Sequence, residues 1–141
     1  MAKPYRVVID PGVFVSALIT PYGATAAMLD LIDTTPVDVV VSPRLLAELA
    51  DVLRRDKFRP YLTTDQADQY LRELRDRTLM VADPAHVSPV CRDPDDDYLV
   101  ALARVADVEA LISGDADLTT LDLPDLDVLT PRALLDRLAL P

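Results

Sequence analysis

The sequence predicts an α/β sandwich in which a mainly parallel sheet of about five strands is wrapped by helices. Short runs rich in Val, Ile and Leu recur along the chain, several of them apolar at successive positions rather than alternating, as suits parallel strands covered on both faces. Between them lie segments whose apolar residues recur at helical spacing, several opened by a capping residue followed by proline. The 141 residues are half apolar and hold 12 prolines against 3 glycines, with no Gly-rich linker or charge block to divide them. Residues 1–141 are therefore expected to form a single domain that buries one core without disulfide or metal staples.

The first expected strand, Tyr5–Ile9, stops at Asp10, and Pro11 and Gly12 are expected to turn the chain before it becomes apolar again. A first helix is expected over Ala24–Ile32 and a second strand over Val37–Val41. Ser42-Pro43 then supplies an N-cap and a proline at the first helical position, and Leu45, Leu46, Leu49, Val52 and Leu53 give that helix an inner face as far as Arg55. Thr64 or Asp65 is expected to cap a more polar helix to Arg77, with Ala67, Tyr70, Leu71 and Leu74 as a narrow apolar stripe. A third strand follows at Leu79–Val81. Asp93-Pro94 opens a helix with Tyr98, Leu99, Ala101, Leu102 and Val105 inward. The last strands are expected at Ala110–Ser113 and Leu126–Leu129, and Thr130-Pro131 opens a final helix carrying Leu134, Leu135 and Leu138.

Composition narrows the function. Cys91 is the single cysteine, so neither a disulfide framework nor a zinc cluster is expected, and a reducing cytoplasm suits the chain. The first residues lack a signal-peptide pattern and no apolar run reaches the roughly 20 residues that span a bilayer, so neither export nor a membrane is expected. His86, in "ADPAHVSP", has no Ser or Cys nucleophile motif beside it and reads as a surface histidine; Cys91 reads as a small buried apolar residue rather than a nucleophile. No Gly-rich phosphate loop exists to anchor a nucleotide. The net charge of −10, from 24 acids against 14 bases, repels nucleic acid at long range, so action on RNA or DNA would require cations or a basic partner.

The acids are the remaining candidates for chemistry. Ligands of open α/β sheets bind beyond the carboxyl ends of the strands, where the strand order reverses. Asp10 ends the first strand, and Asp115 and Asp117, in "LISGDADL", follow a later one, so all three belong at that edge. Asp93, Asp95, Asp96 and Asp97 crowd the start of a helix, where one capping acid is ordinary and further ones repel each other. Helical phase puts Asp97 beside the apolar stripe and turns Asp95 and Asp96 towards solvent. Glu48 lies between Leu45 and Leu49, either inward or exposed and paired with Arg44 or Arg55. Asp10, Glu48, Asp97 and Asp115 thus form a set that the fold could gather. Clustered carboxylates suit hard divalent ions, and the chemistry that follows is metal-assisted hydrolysis of a phosphodiester.

In this order and spacing, "VIDPGVFVSALI", "SPRLLAELADVLRRDKF", "RDPDDDYLVALA" and "LISGDADL" resemble the PIN-domain ribonucleases, most closely the VapC-like toxins of toxin–antitoxin systems, over nearly the whole chain, from about Arg6 to Leu138. The resemblance implies a three-layer α/β/α PIN-like domain and a Mg²⁺- or Mn²⁺-dependent endoribonuclease site. By that match Asp10 is the strand-end aspartate, Glu48 the helix glutamate, Asp97 the third acid and Asp115 the fourth, with Asp117 as the alternative close behind. It also implies an RNA substrate, a cognate antitoxin that inserts a basic segment near the acids, and a homodimer.

"RRDKFRP" offers Arg54, Arg55, Lys57 and Arg59 to an RNA backbone, or simply places cations at a helix end. The opening motif departs from the family pattern: Pro11 and Gly12 stand where a small residue and a hydrogen-bonding residue are usual, so a group that would orient a carboxylate or a water is expected to be missing. The competing reading is a weakened or inactive PIN-fold module that binds RNA or a partner without cutting. A receiver domain also carries acids at strand ends, but its phosphorylatable Asp after the third strand and its lysine near the last strand are not evident.

Overall fold

Five parallel strands, β1 (Tyr5–Ile9), β2 (Val37–Val41), β3 (Leu79–Met80), β4 (Ala110–Ile112) and β5 (Asp127–Leu129), form one sheet among the described residues, in the order β3-β2-β1-β4-β5. This is a computed structural model, and it describes residues 4–139; residues 1–3 and 140–141 of the expected domain lie outside the described residues. Val7 and Val8 of β1 pair with Val39 and Val40 of β2, while Val8 and Ile9 pair on the other side with Leu111 and Ile112 of β4. All of these side chains are buried, which is why the central strands read as continuous apolar runs. The edge strand β3 differs, since Leu79 and Met80 are 43% and 42% exposed.

The described helices that cover the sheet are α1 (Pro11–Ile19), α2 (Ala24–Ile32), α3 (Pro43–Leu53), α4 (Thr64–Arg77), α5 (Asp97–Val105), α6 (Ala116–Thr119) and α7 (Pro131–Leu138). The steps from β1 to β2 to β3 run one way across the sheet and those from β3 to β4 to β5 run back. Right-handed crossovers therefore put α1–α4 on one face and α5 and α6 on the other. The contacts agree: α1 packs on α2 and α3, α3 on α4, and α5 on β1 and β4, while α7 closes against α2 and β5. The result is the three-layer α/β/α arrangement, with one buried core. No single helix among the described residues is long and apolar enough to cross a membrane, and α1 and α2, apolar together, bend by 110° at the break between them.

Two local expectations are corrected. Pro11 and Gly12 do not turn the chain; they begin α1, with Asp10 as its N-cap and Pro11 in its first turn. Asp10-Pro11 is the same capping signature as Ser42-Pro43, but "PGVFVSALI" is apolar almost throughout and has no polar face to reveal a helical period. The cap of α4 is Thr63, not Thr64 or Asp65, because Gln66 completes a capping box with it: Gln66 N donates to Thr63 Oγ1 (3.1 Å) and Thr63 N to Gln66 Oε1 (2.8 Å).

Candidate functional site

The strand order reverses between β1 and β4, and the residue that follows each of them is polar. Among the described residues only Ser42, Asp97 and Ser113 are buried and polar or charged, and all three sit just beyond a strand or at a helix start. Ser42 caps α3 by accepting from Leu45 N at 3.2 Å. Ser113, fully buried after β4, donates its hydroxyl to Asp10 Oδ2 (2.8 Å) and accepts from Asp115 N (3.0 Å), so one side chain ties two acids together. Gly12 N donates to Asp10 Oδ1 at 3.0 Å. The orienting groups expected to be missing after Asp10 are thus supplied by Gly12's own amide and by Ser113 from the neighbouring strand. Asp115 also caps α6, accepting from Asp117 N (2.9 Å), whereas the Asp117 carboxylate stands 3.8 Å from the exposed Arg92 guanidinium. Asp115, not Asp117, is linked to Asp10.

The acids before α5 divide differently from their expected phase. Asp93 caps a 3-10 turn, Pro94–Asp96, by accepting from Asp95 N at 3.0 Å. Asp97 is only 6% exposed, and its Oδ1 accepts from Cys91 N (2.7 Å) and Val90 N (3.0 Å). These two amides, Cys91 first, hold its carboxyl below the usual range despite burial. Asp97 is inward, as expected, but it pins the loop ahead of α5. Asp96, expected to face solvent, is half-buried and faces the other acids. Burial first, and then Asp10, Asp93, Asp115 and Glu48, push its carboxyl up to about 6. The expected phase fails here because α-helical spacing does not extend back through a 3-10 turn, where each residue rotates further.

Glu48, half-buried on α3, accepts at Oε2 from the Tyr98 hydroxyl at 2.6 Å. Burial, then this hydrogen bond, raise the Tyr98 hydroxyl well above its ordinary value, so it remains a donor. Neither expected basic partner binds Glu48: the Arg44 guanidinium lies over the Tyr98 ring, 4.3 Å from its centroid, and Arg55 pairs with Asp51 at 3.4 Å. The signal for Tyr98 was present in "DDDYLVALA", but a tyrosine on an apolar face reads as core until its hydroxyl partner is known.

The basic stretch is not brought to these acids. Arg54 pairs with Asp68 (3.3 Å), Arg59 donates to Thr64 Oγ1 (2.8 Å) and to the Leu53 carbonyl, and Lys57 lies over the Phe58 ring at 5.1 Å. All four follow the C-terminal end of α3, roughly 16 Å of helix from the end that Ser42 caps. The cations beside the acids are Arg44 and Arg92.

The donor set is entirely carboxylate oxygen, which suits a hard divalent cation. Among the described residues no ion pair neutralises Asp10, Glu48, Asp96 or Asp115, and the N-termini of α1, α5 and α6 meet the acids with the positive ends of their dipoles. No group of three or more His, Cys, Asp or Glu side chains there is arranged to hold an ion directly. Mg²⁺ keeps several waters and is usually held by one or two carboxylates, so these acids would reach such an ion in part through water.

The PIN domain model matches residues 6–117. The chain is 33% identical over 116 residues to an uncharacterized protein, MJ1680, from Methanocaldococcus jannaschii, covering 82% of this chain and 74% of that protein. In fold it is similar to PAE2754 from Pyrobaculum aerophilum, with a TM-score of 0.64 and 15% identity over 96% of this chain and 90% of that one. It is also similar to VapBC2 from Rickettsia felis, solved bound to a DNA fragment from its promoter, with a TM-score of 0.63 and 13% identity over 89% and 98% of the two chains. The chain therefore belongs to the PIN domain family, whose members are generally nucleases that use divalent metal ions.

Proposed function

We propose that the protein is a Mg²⁺- or Mn²⁺-dependent endoribonuclease that hydrolyses RNA phosphodiester bonds as the toxin of a toxin–antitoxin pair. The observation that carries this reading is that Ser113 joins the Asp10 carboxylate to the Asp115 backbone at the reversal point of the sheet, and burial together with Asp10, Asp93, Asp115 and Glu48 pushes the neighbouring Asp96 carboxyl up to about 6. Uncompensated negative charge at the reversal point of a parallel sheet is costly unless a cation joins it. Asp10, Glu48, Asp96 and Asp115 would hold the ion directly or through water, with Asp96 taking the part expected of Asp97. A bound ion lowers the pKa of water to give a nucleophile and stabilises the leaving oxygen.

The chain's own residues do the positioning. Ser113 and the Gly12 amide fix both oxygens of Asp10, and Ser113 fixes the backbone of Asp115. Arg44 and Arg92 are the cations available to a phosphodiester against a net charge of −10. The same charge suits an antitoxin with a basic segment. The toxin assignment is supported by the resemblance of the four motifs to VapC-like toxins and by the fold shared with VapBC2; a homodimer and a cytoplasmic site of action belong to the same reading. Cleavage of single-stranded RNA is expected with Mg²⁺ or Mn²⁺ and is expected to disappear in EDTA and in Asp96→Asn. Cleavage that survives both would overturn the proposal.

A further inference from the structure

We propose that Tyr98 is the positioning residue that fixes Glu48 within the acid cluster, its hydroxyl holding one carboxylate oxygen and leaving the other for a divalent ion; this rests on the metal-dependent reading above. Tyr98 is 1% exposed and directly follows Asp96 and Asp97, so its ring is set at the junction where the 3-10 turn that ends at Asp96 passes into α5. For packing alone a phenylalanine would serve. A buried tyrosine needs a partner for its hydroxyl, and Tyr98 reaches one across 50 residues of chain, Glu48 Oε2 at 2.6 Å.

Without this bond no hydrogen bond among the described residues would restrain the half-buried glutamate, a side chain with three rotatable torsions, because Tyr98 supplies the one it has there. Among the described residues no hydrogen bond reaches Glu48 Oε1, which stays available. Arg44, over the ring at 4.3 Å, covers the aromatic face and keeps its own guanidinium off the carboxylate. The arrangement therefore links α3 to α5 at the site through one neutral donor, which adds no charge to compete with a cation.

Calorimetric titration with MnCl₂ of the wild type, Tyr98→Phe, Glu48→Gln and the double variant tests this. Tyr98→Phe keeps the ring, its burial and the Arg44 contact, and is expected to weaken Mn²⁺ binding about 10-fold or more. The double variant is expected to bind no more weakly than Glu48→Gln alone, because the two side chains act as a unit. The tyrosine near-ultraviolet difference spectrum produced by Mn²⁺ is expected to lose a component in Tyr98→Phe and in Glu48→Gln; a packing role would move neither readout. Binding weakened by Glu48→Gln but unchanged by Tyr98→Phe, or additive losses in the double variant, overturns the positioning role and leaves the metal reading intact. Binding indifferent to Glu48→Gln removes both residues from the site, and a wild type that binds no Mn²⁺ overturns the metal reading itself.

Discussion

Asp96 and Asp97 are adjacent acids in opposite environments, and their substitutions should separate. Asp96 is raised to about 6 against an ordinary 3.8, so its contribution to the metal-free fold is fully present below the unfolded value and is lost as pH rises through about 6. Asp97 is lowered, so its contribution is present above the unfolded value and is lost as pH falls through the depressed one. In EDTA, Asp96→Asn is expected to flatten the decline in stability between pH 4 and 6 and, allowing for solvent screening, to raise Tm at pH 7 by roughly 1–3 °C. Asp97→Ala is expected to cost about 1–3 kcal/mol, since two loop amides lose their acceptor. Thermal melts across this pH range check both, and an Asp96→Asn protein that melts lower than wild type at pH 7 would contradict the repulsion. The sequence showed that one acid of the run must turn inward. It could not show whether "inward" meant the ion site or a loop amide, because that depends on backbone groups six and seven residues away and on a 3-10 turn that resets the phase.

Elements were legible where capping chemistry and periodicity agreed. Ser42-Pro43, Asp93-Pro94 and Thr130-Pro131 each mark a turn or helix start, and the central strands match their apolar runs. α1 was not legible, since a helix buried nearly all round carries no phase, and Gly12 inside it looked like a turn former. In the folded chain the Gly12 amide instead serves Asp10, and an added Cβ would meet Asp10 Oδ1 at 3.6 Å, an ordinary contact. Gly12→Ala should therefore keep the hydrogen bond and stabilise the protein by about 0.5–1 kcal/mol through lower unfolded-state entropy, with Mn²⁺ affinity unchanged. Urea unfolding together with Mn²⁺ titration checks this. A large loss of affinity would mean that the bare glycine, and not its N–H, is what the site requires.

At the scale of the whole molecule, topology and charge act together. The alternation of strands and helices placed Asp10 and Asp115 at the carboxyl edge of a parallel sheet, but not the strand order; the reversal between β1 and β4 brings the two side by side although 105 positions separate them. The fate of the basic stretch was only partly readable: Asp51–Arg55 is a local pair at helical i,i+4 spacing, whereas Arg54 is engaged by Asp68 of α4 and Arg59 by Thr64 once the chain has folded back between the two helices. A net charge of −10 means that any salt relieves some self-repulsion, so stabilisation by a divalent ion is informative only if it is local. NaCl screens all 24 acids over a Debye length of about 8 Å at physiological strength, whereas a bound ion stabilises the folded state by mass action. At 100-fold excess over Kd, Mn²⁺ is expected to raise Tm by roughly 5–10 °C beyond NaCl of equal ionic strength. Asp10→Ala, which removes a carboxylate tied to both Gly12 and Ser113, is expected to abolish that increment and leave the NaCl response unchanged. Equal responses to Mn²⁺ in wild type and Asp10→Ala would assign the effect to general screening, and the carboxyl edge of the sheet would then hold no specific cation.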